Sequence, residues 1–279
     1  MSRKRIRGDG RMSADMGTDP SEAPSIPDSI LLPEEVLLQI LSLVPAGDLI
    51  RRCSLVCALW RDVINSPTLW KIKCHNMGYI SKDCQRTPKD WKQFCYLSSK
   101  KRNLLKNPCG MDGLKHWNFE QNGRNKWKIE DLPAEDGQEL PDKDDTKYFV
   151  TSFWPCKKSQ LINLKEMGYG EKLMDLVQPD IVIRDWFAAT RYLACRYILV
   201  QLLSEKKETI MEFYPEAKII KQWCDRRWHQ MTHTFSNYGP GVRYVYFQHG
   251  GQERKLWSAW CEIQVTNSSV TIEPEDLRT

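Results

Sequence analysis

The sequence predicts an α+β multidomain chain with a small all-α module, a helical connector and an antiparallel, jelly-roll-like β-sandwich at its C-terminal end. Three observations carry this. Between positions 32 and 70 apolar residues recur at the three-and-four spacing of a helical face. From Asn107 onward the texture changes to short β-branched and aromatic runs parted by turn residues, the pattern of many short strands. At 279 residues the length favours two units, since single cores seldom grow past ~250–300 residues.

Taken in order, residues 1–30 are rich in Arg, Ser, Asp, Gly and Pro, show no period and are expected to form a disordered tail. Arg3-Lys4-Arg5 is followed closely by Asp9, Asp15 and Asp19, so it reads as a solvated segment rather than a nuclear address. Residues 31–78 form the helical module. Pro33 suits a first turn, Glu34 and Glu35 complement the helix dipole, and Val36, Leu37, Ile40, Leu41 and Val44 share one face. Pro45 stops this helix, and Asp48 is expected to cap a second one carrying Leu49, Ile50 and Cys53. Leu55, Val56, Ala58, Leu59 and Trp60 form a third apolar cluster. Ser66-Pro67 then reads as cap and first turn of a helix that stops near Gly78.

So short a module cannot bury this much apolar surface internally. Each Leu or Ile left in water forfeits ~1.5–3 kcal/mol relative to burial, so part of this surface is expected to meet a protein partner. Packing on the rest of the chain is the other reading. In the connector, 79–106, Thr87-Pro88-Lys89-Asp90 is expected to start a helix bearing Trp91, Phe94, Cys95 and Leu97. That helix is either a firm connector or plain core packing.

The sandwich, 107–275, opens on the turn Asn107-Pro108-Cys109-Gly110. Strands are expected at 147–153, 159–164, 180–186, 192–203, 209–214, 228–235, 242–248 and 260–266, with 269–272 as a last edge. One helix is expected at 165–176, a loop at Pro133 and the acidic 135–145, and turns at Gly239-Pro240-Gly241 and Gly250-Gly251.

Bulk properties narrow the function. A net charge of +5 from 41 basic and 36 acidic interspersed residues argues against a nucleic-acid surface. No apolar run approaches the ~18 residues of a membrane span, and no signal-peptide core is visible. The ten cysteines, spaced without any Cys-x-x-Cys pair, read as reduced thiols of a cytosolic or nuclear protein, and a cytoplasmic location is the expectation. Cys53 and Cys57 read as packed helical neighbours. No metal or cofactor is expected: His229 and His233 have zinc-helix spacing but lack the Glu after the first His and sit in a strand-like run. Asp180 and Asp185 flank one strand without establishing a carboxylate pair, and no catalytic constellation stands out. Asn267-Ser268-Ser269 is formally a glycosylation acceptor. Leu256, Trp257 and Trp260 follow a charged loop, where an indole can either take the apolar face of a sugar ring or anchor the loop in the core.

Two family resemblances sharpen this. LPEEVLLQILSLVP followed by LVCALWRDVINSPTLWK resembles the F-box, which in its family docks a substrate receptor onto the S-phase-kinase-associated adaptor of a cullin-RING ubiquitin ligase. The landmarks that the resemblance makes adaptor-binding are Leu32, Pro33, Ile40, Leu41, Val44, Leu49, Leu55, Val56 and Trp60. NPCG at Asn107, YFVTSF at Tyr148, PDIVIRDW at Pro179 and HTFSNYGPGVRYVYFQHGG at His233 resemble the F-box-associated domain of the sugar-recognising F-box proteins. That resemblance implies a β-sandwich which binds the chitobiose core of high-mannose N-glycans on misfolded glycoproteins exported to the cytosol. The family holds the sugar between a Phe and a Tyr-Trp-Lys run; here Phe153 and Trp257 match, while Leu256 and Ser258 replace the Tyr and the Lys. The expectation is therefore a non-catalytic receptor for glycoproteins in endoplasmic-reticulum-associated degradation. A receptor of the same ligase that reads protein surfaces is the alternative, and a glycan-processing enzyme is the reading from another class.

Overall fold

In the computed structural model the described residues are 32–81, 84, 86–122, 126–131, 147–151, 156–189, 194–215, 218–219, 228–252 and 263–274. The expected tail, the acidic loop, and Phe153, Leu256, Trp257 and Ser258 lie outside them.

Five helices come first: α1 (Glu34–Leu43), α2 (Ala46–Arg51), α3 (Ala58–Asn65), α4 (Pro67–Asn76) and α5 (Trp91–Lys100), with a 3-10 turn at Cys53–Leu55. Pro33 and Pro45 stand at the N-cap positions of α1 and α2. Asp48 does not cap α2; it lies one turn inside and pairs with Arg52 at 3.4 Å. Ser66 caps α4 as expected, accepting from the Thr68 amide with Pro67 at the first position. That helix ends at Asn76, and Gly78, just past the C-cap residue Met77, has the positive φ (+68°) that suits this position. The connector helix starts later than the sequence suggested, because Asp90, not Thr87, accepts the Gln93 amide. Cys53 and Cys57 are not helical neighbours: Cys53 sits in the 3-10 turn, and Cys57 is extended and exposed.

The core of this module comprises Leu37, Leu41, Leu49, Val63, Ile64, Leu69 and Trp70, joined by Phe94 and Cys95 from α5. Leu97, on the same helix, belongs instead to the core of the sandwich. One helix therefore divides its buried face between two cores. Lys101 pairs with Glu273 at 2.8 Å, the Tyr169 hydroxyl donates to the Lys100 carbonyl, and Asn103 bonds Ser268 and Val270.

The strands are β1 (Asn118–Asn122), β2 (Lys128–Asp131), β3 (Lys147–Val150), β4 (Cys156–Asn163), β5 (Asp180–Ala189), β6 (Ala194–Leu203), β7 (Thr209–Phe213), β8 (Lys218–Ile219), β9 (His229–Phe235), β10 (Tyr244–Gln252) and β11 (Ile263–Glu273). One sheet runs β1-β4-β10-β6-β7, with β8 beside β6; the other runs β2-β3-β11-β5-β9. All described pairings are antiparallel, and Phe149, Ile183, Val200, Phe247, Val265 and Val270 fill the space between the layers.

Three expectations within the sandwich need correction. The run 269–272 is not a separate strand: it is the second half of β11, which pairs with β5 along its length and with β3 only at Gln264 and Val265, while Asn103 and Leu104 bond Val270 on the other side. A bulge between Thr266 and Ser269 resets the alternation, so Val265 and Val270 both face inward. Gly250-Gly251 is likewise not a turn, because β10 runs on to Gln252 through an irregularity after His249. A Cβ on Gly250 would meet the Cys156 carbonyl oxygen at 2.5 Å, so close approach of β4 accounts for the glycine. The helix expected at 165–176 is a tight turn followed by a single π turn, Leu173–Val177, since Gly168 at φ +90° breaks the helical path. Strands β1, β2 and β8 were not anticipated; they are short and mostly polar, without an alternating signal.

Candidate functional site

The helical module offers the first candidate surface. On α1, Leu37 and Leu41 point into the core, whereas Val36, Ile40 and Leu43, adjacent around the helix, stay exposed (Ile40 44%, Leu43 79%). The broad apolar face read from the sequence is thus split lengthwise. One half holds the module together and the other remains in water. Leu55 (74% exposed) and Val56 (61%) extend the apolar surface beyond the 3-10 turn, with Leu59 on α3.

Each anticipated adaptor-binding residue can now be placed. Leu32, Pro33, Ile40, Leu55 and Val56 are exposed; Val44 and Trp60 are partly buried; Leu41 and Leu49 are wholly buried. Leu41 and Leu49 therefore act as framework beneath the surface. Val36, Leu43 and Leu59 are exposed apolar residues missing from the sequence-based set; Val36, Ile40 and Leu43 share an i, i+4, i+7 stripe, but nothing local marks it as the exposed half of the apolar face.

A buried cation fixes the presenting helix. Lys73 on α4 donates to the Ser42 carbonyl (2.8 Å) and the Val44 carbonyl (2.5 Å), satisfying orphan groups at the C-terminal end of α1 where positive charge is favoured. Burial holds its ammonium below the ordinary lysine range, against the opposing influence of Cys95 and Cys74. The Trp70 indole donates to the Ile64 carbonyl at 2.6 Å and locks α4 to the end of α3.

The second candidate region is one end of the sandwich. The Thr151 amide donates to the Ile263 carbonyl at 3.0 Å, and the Ile263 amide returns a bond to the Thr151 hydroxyl at 2.9 Å. The strand that leads toward Phe153 is thereby tied to the strand that follows Trp257. Inside this end lies a polar cluster not foreseen from the sequence, formed by Lys158, Asp185 and His249, each wholly buried.

Other sequence candidates take structural places. His229 and His233 lie on a strand, as their setting suggested, and the His233 ring stacks on Phe213 with centroids 3.8 Å apart. Burial lowers the His233 pKa below the ordinary histidine value. Among the described residues no group of three His, Cys, Asp or Glu side chains is placed to hold a metal ion. Gly239 and Gly241 form a turn with positive φ, and Asp175 accepts from the Gly241 amide while forming a forked pair with Arg243 at 2.8 Å. Asn267 and Ser268 occupy the β11 bulge, where Ser268 is fully buried. Among the described residues no helix is long and apolar enough to cross a membrane.

A helical docking module joined by a firm helix to a β-sandwich defines a class: substrate-recognition subunits, which select a target and leave the chemistry to their partners. The chain belongs to the F-box proteins that carry an F-box associated region, matching the F-box-like family over residues 30–76 and the F-box associated region over residues 95–272. It is 48% identical to human F-box only protein 44 over 244 residues, which is 87% of this chain and 96% of that protein. Rat F-box only protein 6 is 48% identical over 242 residues, covering 86% of this chain and 85% of that one. Bovine F-box only protein 2 is 41% identical over 247 residues, 87% and 83% respectively. Proteins of this kind are non-catalytic receptors of SCF-type ubiquitin ligases, and the F-box is the segment that joins them to the S-phase-kinase-associated adaptor.

Proposed function

We propose that the chain recognises the chitobiose core of N-glycans on misfolded glycoproteins in the cytoplasm and presents them for ubiquitination in endoplasmic-reticulum-associated degradation. In this reading residues 31–78 dock the adaptor, and through it the cullin and RING subunits. Residues 79–106 fix the geometry, and 107–275 read the target. The chain contributes placement: holding a substrate near the charged partner raises its effective concentration. Phe153 and Trp257 supply apolar faces to the sugar rings, with Leu256 and Ser258 beside them.

The Thr151–Ile263 hydrogen bonds carry the proposal, because residues 152–155 follow the first partner and 253–262 precede the second. Leu256 and Ser258 weaken it by removing a phenol and an ammonium; each unpaired sugar hydroxyl costs ~1–3 kcal/mol. That loss favours one alternative, a receptor of the same ligase that reads a protein surface instead.

Titration of the full-length chain with chitobiose separates the two. Saturable binding that falls about thirtyfold in Trp257→Ala and Phe153→Ala, the ~2 kcal/mol of an aromatic anchor, supports the lectin reading. Absence of binding by the wild type supports the alternative. For the docking half, Ile40→Glu is expected to abolish adaptor co-purification without unfolding the chain; retained co-purification removes Ile40 from the interface.

A further inference from the structure

The wholly buried Lys158 on β4 has its ammonium 3.5 Å from the ring centroid of Trp117, 3.6 Å from Phe149 and 5.2 Å from Trp127. It has no hydrogen-bond partner among the described residues, so an aromatic cage is its principal contact. Its register partner on β10 is His249, also wholly buried. The His249 Nε2 lies 3.0 Å from Asp185 on β5, and Asp185 accepts from the Ser268 hydroxyl in the β11 bulge at 2.7 Å. Trp117 stacks on the His249 ring at 5.8 Å while donating its indole N–H to the Asn107 carbonyl. Three ionisable side chains thus occupy a space where aliphatic residues would normally cost less.

Their position suggests what the cost achieves. Phe149 precedes residues 152–155 on β3 and Lys158 follows them on β4, yet these strands belong to opposite sheets. The cage contact spans the two roots of that segment. His249 lies near the end of β10, before residues 253–262, and Ser268 lies on β11, after them. Those roots also belong to opposite sheets, and the His249–Asp185–Ser268 chain spans them. The Thr151–Ile263 hydrogen bonds then join the two pairs.

We propose that the Lys158 cage and the His249–Asp185–Ser268 chain form a single positioning device that fixes the strand ends on either side of residues 152–155 and 253–262. Lys158 is its key member and acts on sugar recognition through the strands rather than by touching the ligand. This rests on the lectin reading for its functional consequence, but its structural half stands alone. Burial pushes the Lys158 ammonium well below the ordinary lysine range, with Asp185 and Cys109 pulling the other way. The charged form of Lys158 is therefore lost as pH rises, and at a lower pH than for an exposed lysine, with Asp185, His249 and Cys109 the titratable groups facing it.

Lys158→Met, which keeps an unbranched stem and removes the ammonium, is the test, made in the full-length chain beside the wild type. Amide hydrogen exchange is expected to quicken in 149–156 and 249–263 while the global urea midpoint holds or rises. Chitobiose affinity is expected to fall about tenfold, the effect of having to order a loop on binding. Wild-type affinity is expected to decline as rising pH discharges Lys158, and the Lys158→Met profile to lack that limb. Should Lys158→Met not fold, Asp185→Asn, which keeps an acceptor for Ser268, is expected to give the same local exchange change to a smaller degree. Wild-type exchange rates in both segments of the folded variant overturn the proposal, whatever the sugar result. If the wild type does not bind chitobiose, the lectin reading fails and the exchange measurement alone decides this inference.

Discussion

Replacing Glu273 with Gln tests how the connector is fastened to the sandwich. Glu273 ends β11 and accepts from Arg184 at 2.7 Å, Lys101 at 2.8 Å and the Thr271 hydroxyl at 2.5 Å. Burial alone would raise its pKa, but these hydrogen bonds overcome it and hold the carboxyl at about 2, from an ordinary 4.5. At ~1.4 kcal/mol per unit, that depression bounds the contribution at about 3 kcal/mol. Lys101 is 45% exposed and Arg184 31%, so solvent screening cuts the figure by roughly half, to ~1–2 kcal/mol. Because the folded pKa is the lower one, this stability is complete above pH 4.5 and drains away as pH falls toward 2. Urea unfolding of the full-length chain should show Glu273→Gln weaker by that amount at pH 7. The gap to wild type should narrow steadily from pH 4.5 downward. A gap that stays constant between pH 7 and pH 2.5 would refute the assignment.

The lengthwise split of α1 predicts unequal neighbours: Leu41→Ala should cost ~2–5 kcal/mol in unfolding free energy and Ile40→Ala less than ~0.5 kcal/mol. Equal losses would mean that the exposed stripe is packed. Gly250→Ala drives a methyl group toward the Cys156 carbonyl and should destabilise by ~1–3 kcal/mol, with faster amide exchange across the β4–β10 ladder; an unchanged midpoint would show that the strands separate freely there.

Much of the fold was legible because its signals are local. Three-and-four spacing, Ser66-Pro67 and the proline stops are read within one or two helical turns, and they located the helices to within a few residues. Strand alternation worked the same way for β4, β5 and β10, whose inward residues recur every second position. Where alternation was broken by a bulge, as at Asn267 and Ser268, one strand looked like two. Where a strand was short and polar, as at Asn118–Asn122, no period existed to be seen.

By itself the sequence determined the class of protein: a helical module ahead of a β-sandwich, and the family whose motifs these two parts carry. It could not divide α1 into a buried and an exposed stripe, because that division depends on Trp70 and Leu69 arriving from another helix. Nor could it bring Lys158, His249 and Asp185 together. Antiparallel register sets Lys158 beside His249, and sheet packing sets His249 against Asp185, so residues far apart in the chain meet only in the folded sandwich. Tertiary structure alone decided those meetings, because pairing across distant segments is chosen by the burial of whole faces and not by any residue's neighbours in the chain.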